Sequence, residues 1–135
     1  MKLNYDCLRD TLLYLEENLT VDCDGELSFG LIYLDDLYNE LSQYSNEDIY
    51  YSVFNLKQAE FLSCSPADGW PIYHIDSINY ITFKGHEFLS EIRDNDKWKK
   101  VKSILGNVKT FSLSAISAAA EGVTSALIGK YFAGQ

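Results

Sequence analysis

Over the first eighteen residues the apolar positions recur three and four apart. Cys7, Leu8, Thr11, Leu12 and Leu15 fall on one face of a helix, with Asn4 placed to cap it and Asp6 in the first turn. The pattern predicts a first helix ending near Asn18. It then changes: in "VDCDGELSFGLIYL" the turn chemistry falls at Asp24-Gly25 and Gly30, and Leu27 and Phe29 alternate with polar neighbours as in a short strand. A second helix is predicted over Asp35 to Gln43, with Leu37 and Leu41 inward. Ser45 opens a third, with Glu47 and Asp48 at its positive end and Ile49, Val53 and Leu56 as its buried seam.

Two β-prone runs follow, "FLSCS" and "IYHIDSINYITF", separated by "PADGWP", which predicts a hairpin with Trp70 near its tip. Thr82 is placed to cap a fourth helix through "FKGHEFLSEIRD". Asn95 or Asp96 opens a fifth through "KWKKVKSIL", interrupted at Gly106-Asn107. Helix, short strand, helix, helix, hairpin is the order of a winged helix-turn-helix, in which the third helix presents and the hairpin is the wing. The expected fold is therefore α+β: a winged-helix domain over residues 1–105 and an added C-terminal helical extension over 106–135. In that extension Leu113, Ile116, Ala120, Val123 and Leu127 form a narrow seam at spacings of three and four.

Charge changes what such a scaffold is expected to bind. The formal net charge is −9, but residues 1–60 hold 3 Lys/Arg against 13 Asp/Glu and the remainder 8 against 7. The N-terminal half repels phosphate and attracts basic partners. With the seam inward, the third helix shows Glu47, Tyr50, Tyr51, Phe54, Lys57 and Gln58 outward, of which only Lys57 and Gln58 suit DNA reading; the alternative is that Tyr51 and Phe54 lie under the wing or the N-terminal segment as core. Tyr and Phe on a helix face suit protein recognition instead. Tyr50, Tyr51, Phe54, Lys57 and Gln58, with Trp70 and Tyr73 of the wing, are thus the candidate partner-binding residues. Tyr50 is expected to be the freest of the core. The run "KWKKVK" places Lys97, Lys99, Lys100 and Lys102 as the candidate nucleic-acid contacts, set against a reading in which they pair with nearby acids while Trp98, Val101 and Leu105 pack inward.

Other chemistry is poorly supported. His74 and His86 stand apart from any Cys at zinc-ligand spacing, no phosphate-binding or hydrolase motif occurs, and "DCDGEL" lacks the calcium-loop ligand pattern. No metal, cofactor or enzymatic activity is expected. Cys7, Cys23 and Cys64 share no short spacing and read as core thiols of a cytoplasmic protein, and "MKLNYDCLRD" has no apolar leader. The C-terminal segment approaches a membrane span in length, but Glu121, Lys130 and its serines argue against one.

The blocks "MKLNYDCLRDTLLYLEEN", "YSNEDIYYSVFNLKQAEFL", "ITFKGHEFLSEIRDNDKWKKVK" and "FSLSAIS" resemble successive blocks of the Firmicute and prophage family known as domain of unknown function 2513. The resemblance implies a winged-helix-like fold and a phage or prophage origin, and supplies no catalytic residues. Where similar chains have a His and an "AGLI" helix ending, this sequence has Ser52 and "AEFL", Ala59 to Leu62. Glu60 in the place of a Gly predicts strain at a tight left-handed ending.

Together these features lead to the expectation of a non-enzymatic, protein-binding modulator, antitoxin-like or anti-defence, engaging a bacterial or phage protein and able to self-associate through the C-terminal seam. A DNA-binding transcriptional regulator of the same fold is the alternative, and a structural or virion-associated protein a further one.

Overall fold

The computed structural model describes residues 1–66 and 74–134. It is α+β, with eleven elements among the described residues: α1 (Tyr5–Asn18), β1 (Thr20–Asp22), β2 (Ser28–Gly30), β3 (Ile32–Tyr33), α2 (Leu34–Glu40), α3 (Asn46–Gln58), β4 (Leu62–Pro66), β5 (Ile75–Ile81), α4 (Phe83–Ile92), α5 (Asn95–Val108) and α6 (Leu113–Ala133). They form two compact units, Met1–Glu87 and Phe88–Gln135, the division falling inside α4.

In the first unit the expected caps form. The Asn4 side chain accepts from the Cys7 N–H at 3.0 Å, and Ser45 Oγ accepts from the Asp48 N–H at 3.1 Å. The segment expected as one short strand is instead a hairpin: β1 pairs antiparallel with β2 around a turn in which Asp22 accepts from the Asp24 N–H and Gly25 takes φ +95°. Val21 and Leu27 of this two-stranded hairpin are exposed. Cys23 lies in this turn and is exposed and Cys64 is half-buried, so only Cys7 is the core thiol expected of all three. A second, three-stranded sheet runs in the order β3-β5-β4, both pairings antiparallel, with irregular register at Ser63/Cys64 and Ser65/Pro66. The tip of the expected hairpin, including Trp70 and Tyr73, lies outside the described residues.

The second helix is shorter than its pattern suggests. It stops at Glu40 because Leu41, though buried, has left helical geometry at ψ 42°. The core of this unit is made by Leu8, Leu12 and Leu15 of α1, Leu37 of α2, Ile49, Val53 and Leu56 of α3 and Ile78 of β5, all fully buried. Burying side chains of this kind stabilises by about 1.5–3 kcal/mol each before entropy is counted.

α3 ends in the left-handed turn despite Glu60. Its φ is +65°, the Phe61 N–H donates to Leu56 O, and the Glu60 N–H donates to Lys57 O, the paired bonds of a Schellman ending. Thr82 holds this strained residue from outside. Its Oγ1 donates to Glu60 O at 2.6 Å and accepts from the Gly85 N–H, while its N–H donates to Phe61 O. At Gly85 a Cβ would stand 2.3 Å from Phe61 O, so the start of α4 closes on the turn only without a side chain there.

In the second unit α5 is capped by Asp94, one residue before the expected start, its carboxylate accepting from the Lys97 N–H at 2.8 Å. The interruption expected at Gly106-Asn107 does not occur. α5 runs through both residues to Val108, Gly106 has open space around it, and the chain reverses at Lys109, φ +56°. The expected domain boundary at 105/106 therefore falls within a continuous helix. α6 packs back on α5, with Ile116 and Ala120 buried and Trp98, Val101 and Leu105 buried on α5. Among the described residues no helix is long and apolar enough to cross a membrane.

Candidate functional site

The face of α3 opposite Ile49, Val53 and Leu56 is half-buried rather than bare. Tyr50, Tyr51 and Phe54 on this face meet Tyr38 of α2, and the four rings wall a groove of about 490 Å³ whose lining is completed by Met1, Asn46 and Glu47. The helix period brings Glu47, Tyr50, Tyr51 and Phe54 together, since residues three and four apart are neighbours on a helix surface. The short turn between Glu40 and Asn46 brings α2 alongside.

The rings are held in place. Tyr51 and Phe54 lie with centroids 6.4 Å apart and planes within 8° of parallel. The Tyr50 hydroxyl accepts from the Ile75 N–H at 3.1 Å, and its ring stands 6.4 Å from that of His74. Tyr50 is thus tied to the start of β5 and is not the residue freest of the core, a correction to the helical-wheel reading, which places a side chain on a face without showing what its tip reaches. Beside the groove the Tyr38 phenol is raised above its usual range, first by burial and then by Tyr50, Asp35 and Glu47. The acids of two helix first turns, Asp35 and Asp36 on α2 and Glu47 and Asp48 on α3, make this end of the unit negative. Part of that charge is structural: Asp36 accepts from the Tyr33 N–H, and Asp48 accepts from the Asn4 amide.

Lys57 and Gln58 do not line the groove. Lys57 lies close enough to Cys64 to oppose the upward push that burial gives that thiol, which stands at about 11. Trp70 and Tyr73 lie outside the described residues. The helical wheel missed Tyr38, which follows the inward Leu37; the signal was available in the short connection that sets α2 against α3.

A second, smaller cavity of about 250 Å³ lies between α1, the β1–β2 hairpin and β5, with Phe29 and Tyr80 in ring contact at 4.9 Å. It contains none of the residues expected to bind. Cys7, a fully buried residue of α1, is raised chiefly by burial.

Within the second unit the four lysines divide. Lys97 donates to Thr124 Oγ1 at 2.5 Å and Lys102 stands 5.8 Å above the Trp98 ring, while Lys99 and Lys100 are exposed. The C-terminal seam divides too. Ile116 and Ala120 are buried within their own unit, Leu113 and Val123 are half-buried and Leu127 is 48% exposed. The Lys97–Thr124 contact places the first turn of α5 beside the middle of α6, so about two turns of α6 beyond it overhang, carrying Leu127, Ile128, Tyr131 and Phe132 into solvent. Among the described residues no group of three or more His, Cys, Asp or Glu is arranged to hold a metal ion.

No curated protein and no solved structure matches the chain. The family model described as "Hypothetical protein (DUF2513)" matches residues 2–112, which takes in every element from α1 to α5 and stops at the cap of α6. The groove, the clamped turn after α3 and the lysines of α5 all lie inside that match, and by it the chain belongs to the DUF2513 family.

Proposed function

We propose that this chain is a winged-helix protein of phage or prophage origin that binds a partner protein of its bacterial host, or of a phage, through the aromatic groove on α3, and acts by that binding as a non-enzymatic, antitoxin-like or anti-defence modulator. The order α1, β3, α2, α3, β4, β5, with β3 and β4 flanking β5, supports the winged reading. The observation that carries the binding reading is the lining of the groove. Where a DNA-reading helix leads with several of Arg, Asn or Gln toward base edges, the N-terminal half of α3 offers a single Asn46 among Glu47, Tyr50, Tyr51 and Phe54. Phosphate is repelled from this face, and aromatic anchors in a concave site are what protein interfaces concentrate.

The test has two arms. A host lysate passed over immobilised full-length protein is expected to yield a retained host or phage protein that Phe54→Glu fails to retain. Random duplex DNA, followed by fluorescence anisotropy at low salt, is expected to bind more weakly than the usual non-specific range of about 10⁻⁴ to 10⁻⁶ M. Retention unaffected by Phe54→Glu removes the groove from the interface. Micromolar duplex binding with a steep salt slope favours the regulator reading, for which the exposed Lys99 and Lys100 are the specific support.

Self-association is proposed for the overhanging end of α6 rather than for the whole seam, since Ile116 and Ala120 are already buried. Light scattering on the full chain and on a chain ending at Ala126 decides it: an unchanged mass removes the proposal.

A further inference from the structure

An apolar groove on a strongly acidic half-molecule raises a question its shape does not answer, namely what charge its occupant carries. Four aromatic rings line one space, and Glu47 is the carboxylate that lines it with them. A ring face attracts a cation, most strongly where water is excluded. The parallel Tyr51 and Phe54 rings form a fixed wall, and Tyr50 is pinned through its hydroxyl to Ile75, so the space is preorganised rather than collapsed. The first turns of α2 and α3 add Asp35, Asp36 and Asp48 to Glu47 at this end of the unit, so the field there is negative.

Three kinds of occupant can be compared by their cost. A nucleic-acid base would stack on the rings, but its phosphates would meet Glu47 and a half-molecule with 13 acids against 3 bases, where stacking platforms need a cationic rim. A purely apolar segment would fill the volume and leave the Glu47 carboxylate desolvated without a partner, which is costly. A cationic side chain among apolar neighbours meets both demands: its charge faces the rings and the carboxylate while its stem and neighbours cover the apolar lining.

We infer that the groove walled by Tyr38, Tyr50, Tyr51 and Phe54 takes an arginine or lysine side chain of a partner segment, with Glu47 as its counter-ion. The inference rests on the protein-binding reading above and names the chemistry of the docked segment. A volume of about 490 Å³ is enough for one such side chain and the apolar residues beside it. Arginine fits better than lysine, because a planar guanidinium stacks on a ring while keeping its edge donors for a carboxylate.

The experiment titrates the full-length, isotope-labelled protein with N-acetyl-arginyl-leucinamide and, separately, with the same compound carrying neutral citrulline in place of arginine, while amide and aromatic resonances are followed. Saturable shifts at Tyr38, Glu47, Tyr51 and Phe54 are expected. The arginine compound should bind about five- to tenfold more tightly than the citrulline one, the range that a cation on aromatic faces supplies. Glu47→Gln, a change at an exposed position, should bring the two compounds close together, and Phe54→Ala should remove the shifts. Equal binding of both compounds overturns the inference and leaves the groove as a peptide site, so the functional reading stands. An arginine preference untouched by Glu47→Gln, or no saturable shift at all, also overturns it, while the fate of the functional reading is decided separately by whether Phe54→Glu still retains the host protein. Shifts produced at the same resonances by oligothymidylate, in place of the arginine compound, overturn it in favour of base stacking.

Discussion

On α3 the seam residues Ile49, Val53 and Leu56 are fully buried, whereas on α6 burial is confined to Ile116 and Ala120 and the same seam ends in a Leu127 that is 48% exposed. Both helices show apolar residues at spacings of three and four. They differ in what surrounds them. α3 is contacted by α1, α2 and β4, and its outer face is partly walled by Tyr38; α6 has α5 as its principal neighbour and outruns it. An apolar seam thus fixes which face of a helix turns inward, and the number of elements around it fixes how deep that face lies. The rings of α3 are shaped and held by those neighbours, which is why that helix carries the groove and α6 presents only an apolar end.

The largest effect that sharpens this contrast is a pair of truncations of side chains. Leu56→Ala is expected to cost about 2–5 kcal/mol, because its neighbours cannot all collapse into the space. Leu127→Ala should stay within about 0.5 kcal/mol. Denaturant midpoints of the two variants check the pair, and similar losses in both would break the comparison.

Alkaline titration comes next in size. The Cys64 thiol is raised from its ordinary value near 9 to about 11, first by burial and against Lys57. The folded chain holds a proton there that the unfolded chain releases, so the stabilisation is complete below about pH 9 and is lost as pH rises to about 11. A shift of this size corresponds to a loss on the order of 2 kcal/mol for a mostly covered group. Tyr44, whose hydroxyl donates to Asp10 at 2.5 Å, is raised by burial and then by that bond, and acts in the same direction at still higher pH. Denaturant midpoints of wild type and Cys64→Ser across this range are expected to converge as pH rises.

A smaller effect separates holding the groove from filling it. Tyr50→Phe keeps the ring but removes the acceptor for the Ile75 N–H, which should cost about 1 kcal/mol. Titration of the groove should be unchanged if the ring alone serves the occupant. Tyr50→Ala should both lower the melting temperature and weaken binding, so the two variants together separate the structural from the docking contribution.

The smallest concerns the end of α3. A left-handed residue with a Cβ costs about 1–2 kcal/mol, while glycine gives back about 0.5–1 kcal/mol through its freer unfolded chain, so Glu60→Gly should stabilise by roughly 0.5–1 kcal/mol. Lys109, φ +56°, is the equivalent residue between α5 and α6. Lys109→Gly should gain a similar amount, and thermal melts of the two variants check whether the bonds from Thr82 make the first turn different from the second.

Much of the helix content was legible in the sequence because caps and seams are local. Asn4, Ser45 and Thr82 each sit within a few residues of the N–H groups they accept from, so their chemistry is written in adjacent letters. The α5 start at Asn95 was legible for the same local reason, with Asp94 just before it as the cap. The candidate site was legible in part. Tyr50, Tyr51 and Phe54 followed from the helical period, but Tyr38 comes from another helix, and the bond from Ile75 to the Tyr50 hydroxyl spans twenty-five residues of chain.

The sequence by itself determined the α+β class, the inward seams, the acidic half and the family, because each is a property of spacing or composition. Tertiary structure alone decided that Glu60 keeps its left-handed geometry under the grip of Thr82 and that four rings from two helices wall one groove. These depend on contacts between distant residues, whose energies are comparable to the local preferences they override. Periodicity along the chain records which side of an element is apolar, and it carries no term for what another element brings to meet it.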